Sequence, residues 1–242
     1  MRPLVLRTEI AHFETTLRAG ATPDRAQGEK RYLKSELVFL GATLPDVRRT
    51  VKAWLGEHPN LTRVELVRLV RALWRRRVHE LRMTAAVLLQ NCWPLLDPSD
   101  LDLLEDLLRH SKTWAYVDAI AVHVVGPLVE RNPALGRALD RWAGDHDFWI
   151  RRSALLALLS PLRRGEGDWR RFARFADSML DEKEFFIGKA IGWVLREVSK
   201  TTPERVLEFL EPRVDRTSGL TFREATKYLP ERTRARLAKL RG

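Results

Sequence analysis

With 242 residues, 45% of them hydrophobic, the chain has material for one sizeable domain or two small ones around a real core. Its 43 Lys and Arg against 32 Asp and Glu give a formal charge of +11, and the cations recur along the whole length. That favours a polyanionic partner, nucleic acid first and an anionic membrane as the rival.

The opening "MRPLVLRTEIAHFETTLRAG" interrupts its short apolar run with charges, unlike a signal peptide. No stretch approaches the roughly 18 to 20 apolar residues needed to span a bilayer. The expectation is a cytoplasmic protein. Amphipathic segments of helical spacing then follow one another from end to end, with almost no strand-like alternation of β-branched residues, so the predicted class is all-α. Prolines fall between many of these segments, where they suit helix starts and short turns, while Pro127 is expected to kink or end a helix. Three joints look alike: "GEHPNLTRVELVRLV", "LVERNPALGRALDRWA" and "VSKTTPERVLEFL" each end one helix, place a proline in the turn and begin an amphipathic successor. A spacing of roughly 35 to 45 residues predicts a HEAT-like or armadillo-like α-helical repeat solenoid of about six units, a stack that curves and offers a concave face. No long Gly/Ser linker divides the chain, which is read as a single domain over residues 1–242. The stretch "LRRGEGDWRR" is expected to be a loop.

Cys92 is the only cysteine, which excludes internal disulfides and cysteine zinc sites, and its setting "LLQNCWPLL" predicts a buried thiol. The six histidines form no paired helical ligand spacing with an adjacent glutamate, and there is no glycine-rich phosphate loop. The expectation is therefore no metal and no cofactor.

Three stretches carry possible chemistry. In "SKTWAYVDAIAVHVVGPLV", Trp114 and Asp118 share one helical stripe, beside the apolar arc of Val117, Ala121 and Val124. Asp118 is then either a partner for an arginine on the next helix or a catalytic carboxylate. In "DHDFWIRRSALLALLS", an acidic N-cap region precedes Arg151 and Arg152 in the first turns of a helix. Cations there oppose the helix dipole, so they call either for an external phosphate or for an acidic neighbour. In "EFFIGKAIGWVLREVSK", a helical projection gathers Ile187, Ile191, Val194, Leu195 and Val198 into a core stripe. The opposite arc mixes Phe185, Phe186 and Trp193 with Lys189, Arg196 and Lys200. Trp193 either packs on a neighbouring helix or meets a nucleotide, since cations bind phosphates while rings lie against bases.

The segments "KTWAYVDAI", "FWIRRSALL" and above all "KEFFIGKAIGWVLREVSKTTPE" resemble corresponding segments of the AlkD-like family of bacterial DNA alkylation repair glycosylases, which are HEAT-like repeat proteins. The resemblance extends to "RYLKSELVFLGATLPDVRR" and "LWRRRVHELRMTAAVLL", and so to most of the chain. It implies that Asp118 is the catalytic carboxylate, with Trp114 and Trp193 as aromatic walls at the lesion nucleotide, and that Arg152 holds the DNA backbone. Arg196, Phe185 and Phe186 match further positions lining the family's DNA cleft, with Lys189 beside them, and Tyr32 matches an N-terminal aromatic. Ala115, Tyr116 and Gly188 depart from the family pattern.

The implied reaction is hydrolysis of the N-glycosidic bond of cationic alkylpurines, such as 3-methyladenine, 7-methylguanine or bulkier adducts, in double-stranded DNA and without full base extrusion. A cationic base leaves neutral and needs no general acid, so one carboxylate can suffice where ordinary glycosidases use two. Lys112 and Lys189 lie in charged surroundings, unlike a desolvated lysine nucleophile, so the enzyme is expected to be monofunctional. The implied protein is bacterial, monomeric and nucleoid-associated when bound to DNA. The alternative from another class is a non-catalytic HEAT-like paralogue that binds distorted or branched DNA.

Overall fold

The computed structural model describes residues 4–241. The chain divides into two compact units that meet in sequence between Ile120 and Ala121, and each is described by itself.

The first unit contains α1 (Leu6–Ala19), α2 (Pro23–Leu33), α3 (Leu44–Glu57), α4 (Arg63–Trp74), α5 (His79–Cys92), α6 (Leu101–Arg109) and α7 (Trp114–Ile120). The sequence writes several of these starts explicitly. Thr43 with Asp46 and Thr62 with Glu65 form reciprocal capping boxes at α3 and α4, each satisfying two backbone N–H groups that a helix start leaves over. Helix α5 is the hub, with α1, α3, α4 and α7 packed on it. Its run from Leu81 to Leu89 is therefore buried almost all round instead of along one stripe. Cys92, at its end, is buried as expected.

The second unit opens with a π-helical turn, Ala121–Val125, that leads into α8 (Gly126–Arg131). It continues through α9 (Gly136–Ala143), α10 (Phe148–Leu156), α11 (Leu159–Arg163), α12 (Trp169–Ser178), α13 (Phe185–Val198), α14 (Pro203–Leu210), α15 (Gly219–Ala225) and α16 (Glu231–Arg241). Pro127 neither ends nor sharply breaks the helical path. It follows directly on the π turn Ala121–Val125 within a continuous helical run, and that wider turn accommodates the ring and the missing N–H. The stretch after α11 is a loop, with Gly165 and Gly167 at φ +81° and +76°.

The described residues contain one isolated parallel bridge, Val38 with Val78, and no named strand. The class is all-α, a helical repeat. Helices pack on the element two places further along, as in α3 on α5, α5 on α7, α10 on α12 and α13 on α15. Side-chain pairs mark the same step: Arg63 with Asp100, Arg151 with Glu182, Arg174 with Asp140, Arg213 with Asp177 and Lys189 with Glu224 join residues 31 to 37 apart. That step lies at and below the short end of the roughly 35 to 45 residues read from the proline joints.

Candidate functional site

In the first unit, α6 ends at Arg109 with His110 as its C-cap, and Lys112 takes a left-handed backbone (φ +55°) that turns the chain into α7. Trp114 is the first residue of α7 and Asp118 lies one turn on, both half-buried. The intervening face is anchored. Tyr116 is fully buried, with its hydroxyl 2.6 Å from His79 Nδ1 and its ring edge-on to Trp74. His79 in turn stacks on Phe39 at 4.4 Å. Gln90 of α5 donates to the carbonyl of Ala119, 3.2 Å away, fixing α7 beside Asp118.

Burial alone lowers the pKa of His79 to about 4, so the imidazole is neutral near pH 7, and burial drives the Tyr116 phenol far up. The departure at Tyr116 from the family pattern is thus an internal anchor for the helix that carries Trp114 and Asp118. Its side chain does not line their exposed side.

Tyr32 is 72% exposed near the end of α2, and its ring stands edge-to-face with Trp114 at 6.0 Å between centroids. The sequence proposed both residues but not their contact. Helix α2 has no buried residue of its own, so it is held from its start. Gly41, at φ +95°, passes so close that a Cβ there would stand 2.1 Å from the carbonyl oxygen of Thr22. The buried Glu80 carboxylate accepts hydrogen bonds from the N–H groups of Leu40 and Gly41 at 2.9 and 2.7 Å, clamping that segment.

In the second unit, Asp147 caps α10 by accepting from the Trp149 N–H at 2.8 Å. Its two arginines have different settings. Arg151 forms a two-pronged pair with Glu182, the acidic-neighbour alternative left open by the sequence. Arg152 is only 2% exposed, donates to the carbonyl of Phe186 and lies over the Phe186 ring at 5.9 Å. Phe186 also touches Phe148, Trp149 and Phe185, so it is part of an aromatic cluster, whereas Phe185 itself is 58% exposed.

On α13 the predicted division of faces is present. Ile187, Ile191, Val194, Leu195 and Val198 are buried, and Lys189, Trp193 and Arg196 are half-buried on the other side. The partner of that side is Glu224 of α15. Lys189 Nζ approaches it at 2.5 Å and Arg196 Nη1 pairs with its second oxygen. Burial raises the Glu224 pKa, but the Lys189 hydrogen bond and the charges of Arg196, Lys189 and Lys227 outweigh it and leave the carboxyl below its ordinary value. Gly192 permits the approach, because a Cβ there would stand 2.6 Å from the Glu224 Cβ. Gly188 similarly faces Thr221, whose hydroxyl donates to the Gly188 carbonyl. Sequence reasoning missed Glu224, since nothing within α13 announces a carboxylate 28 to 35 residues away. The two helical glycines were its only trace.

Among the described residues no group of three or more His, Cys, Asp or Glu is placed to hold a metal, and no helix is long and apolar enough to cross a membrane. Of the sequence-predicted residues, Tyr32, Trp114 and Asp118 lie in the first unit, and Arg152, Phe185, Phe186, Lys189, Trp193 and Arg196 in the second.

The model of a protein family described as DNA alkylation repair enzyme matches residues 13–229. A solved structure described as a "predicted DNA alkylation repair enzyme" from Enterococcus faecalis is 26% identical, with a TM-score of 0.78 over 87% of this chain and 97% of that one. AlkD2 from Streptococcus mutans is 14% identical, with a TM-score of 0.59 over 98% and 97% of the two chains. The smu.31 protein from Streptococcus mutans UA159, also 14% identical, has a TM-score of 0.55 over 98% of each. These last two show likeness of fold. None of the curated proteins matches this chain.

Proposed function

We propose, from the premise that the chain belongs to the DNA alkylation repair enzyme family, that it hydrolyses the N-glycosidic bond of cationic alkylated purines in duplex DNA. Family membership makes DNA the partner and alkylation repair the task. The finer reading rests on one observation: Asp118 lies one turn from Trp114 on a helix pinned from behind, with Tyr32 edge-on to Trp114.

In this reading the carboxylate of Asp118 stabilises the oxocarbenium-like sugar and positions or deprotonates the attacking water. Trp114 and Trp193 set electron-rich ring faces beside the developing positive charge. The alkylated base departs neutral, which removes the need for a general acid. Arg196, Lys189, Phe185, Phe186 and Tyr32 contact the DNA. Arg152, buried and donating to the Phe186 carbonyl, serves the DNA backbone by holding the Phe185–Phe186 turn. The chain acts as a monofunctional monomer and needs no cofactor. It belongs to base excision repair in the bacterial cytoplasm, at the nucleoid.

The test is release of 7-methylguanine from duplex DNA under single-turnover conditions. Asp118→Asn is expected to slow release about 10²- to 10⁴-fold, the usual worth of a positioned general base, with DNA affinity unchanged. Wild-type rates in that variant would remove Asp118 from the mechanism. Strand cleavage coupled to release, without heat or alkali, would overturn the monofunctional assignment. Binding of branched DNA with no release of methylated or bulky adducts would favour the non-catalytic paralogue.

A further inference from the structure

The first unit holds a cavity of about 580 Å³ that the proposed chemistry does not use, lined among others by Lys34, Arg77, Arg82, His110 and Lys112, with Glu36 as its carboxylate. Four permanent cations face one acid. Across the rest of the fold, arginines commonly pair with carboxylates, as Arg63, Arg171 and Arg213 do. Among the described residues none of these four cations forms such a pair. Arg82 donates only to the backbone carbonyls of Arg76 and His110, at 3.1 and 3.4 Å, and its guanidinium lies over the Trp74 ring at 5.5 Å. Desolvation lowers its pKa, which Tyr116 offsets in part and the like charge of Arg77 lowers further.

The backbone adds a second, independent sign. Lys34 and Lys112 are the non-glycine residues with positive φ, at +47° and +55°. Lysine gains nothing from a left-handed conformation that glycine or asparagine adopts at less cost, so its side chain is what the position supplies. Lys34 follows Tyr32 by two residues and Lys112 precedes Trp114 by two, and those aromatic residues form the edge-to-face pair. Both lysines line the cavity, so the cationic pocket adjoins the ring pair at the ends of α2 and α7.

We propose that this cavity is a phosphodiester site, taking backbone phosphates of duplex DNA beside the Tyr32–Trp114 pair, with Lys34 and Lys112 donating from the rim and Arg82 from the floor. Its ligand rests on the reading of the protein as a DNA repair enzyme. Its role is to fix the strand relative to Trp114, and it requires no bond cleavage.

The test is equilibrium binding of undamaged duplex DNA across a salt series. The double variant Lys34→Gly with Lys112→Gly removes both cations while keeping a residue suited to left-handed backbone, and Lys34→Asn with Lys112→Asn repeats the change should the first fail to fold. Each phosphate contact contributes about 0.9 to the slope of log affinity against log salt, so the double variants are expected to lose about 1.8. Lys52→Gln, exposed on α3, is expected to keep the parent slope. A parent-like slope in the double variants, or no DNA binding by the parent, overturns the site. Because no base is released in this assay, a failure of the glycosylase reading would appear separately, as absent excision with the slope change intact.

Discussion

Tyr116 and His79 show how one buried contact serves a half-exposed pair. Tyr116 alternates with Trp114 and Asp118 on α7 but points inward, and its hydroxyl meets His79 Nδ1 at 2.6 Å. Removing the hydroxyl in Tyr116→Phe leaves a buried ring nitrogen without its partner, at a cost of about 1–3 kcal/mol. The expected result is a lower urea midpoint together with slower base release, because the α7 anchor loosens. A stability loss with unchanged single-turnover excision would separate the anchor from the chemistry. His79 also predicts a pH effect. Its folded pKa of about 4 lies below the ordinary value of 6.5, so the folded state favours the neutral ring. The stabilisation is present above pH 6.5 and is lost as pH falls toward 4, amounting to about 3 kcal/mol. Urea midpoints measured from pH 7 to 4 should fall, and His79→Phe should flatten that part of the profile.

At the scale of elements, glycines decide how closely α13 and α15 pack. With a Cβ at position 192, the Glu224 Cβ would be 2.6 Å away and the Thr221 carbonyl oxygen 3.2 Å away, so one helix must move. Gly192→Ala is expected to destabilise by about 1–3 kcal/mol, as overpacking does, despite alanine's better helix propensity. It should also disturb the hold of Glu224 on Lys189 and Arg196, read as a change in the salt dependence of DNA binding. The core stripe of α13 and its opposite face were legible in the sequence, since helical periodicity puts Ile187, Ile191 and Val194 together whatever they pack against. Glu224 was not, because periodicity within one helix carries no information about the facing residue. The Tyr32–Trp114 contact was hidden for the same reason. It depends on where Gly41 and Glu80 hold α2, although each ring was already a candidate by itself.

Across the whole molecule, several basic residues pair with carboxylates one repeat away, so the net charge of +11 does not by itself tell which cations remain to meet a partner. Asp140 and Asp177 each accept from two arginines, and these side-chain hydrogen bonds hold both carboxyls below their ordinary values. A carboxyl depressed in this way stabilises the fold above its unfolded pKa and loses that contribution as pH falls through the lower, folded value. Acid unfolding should therefore show two stages, the His79 stage between about pH 6.5 and 4 and a carboxylate stage below about pH 4. Asp177→Asn is expected to weaken only the lower stage. The loss should be modest, since half-exposed pairs are screened by solvent.

The sequence by itself determined the all-α helical-repeat class, the core stripes, the buried Cys92 and the family resemblance, because each rests on local periodicity or on the order of residues along the chain. Only the tertiary structure decided which cations are spent on carboxylate partners and which line a cavity whose one carboxylate is Glu36. It put Arg152 against the Phe186 ring and carbonyl, Lys189 and Arg196 on Glu224, and Lys34 with Lys112 around one pocket. The physical reason is that a charge is satisfied by whatever lies across the next helix, some 30 to 40 residues away, and no pattern along one helix records its neighbour.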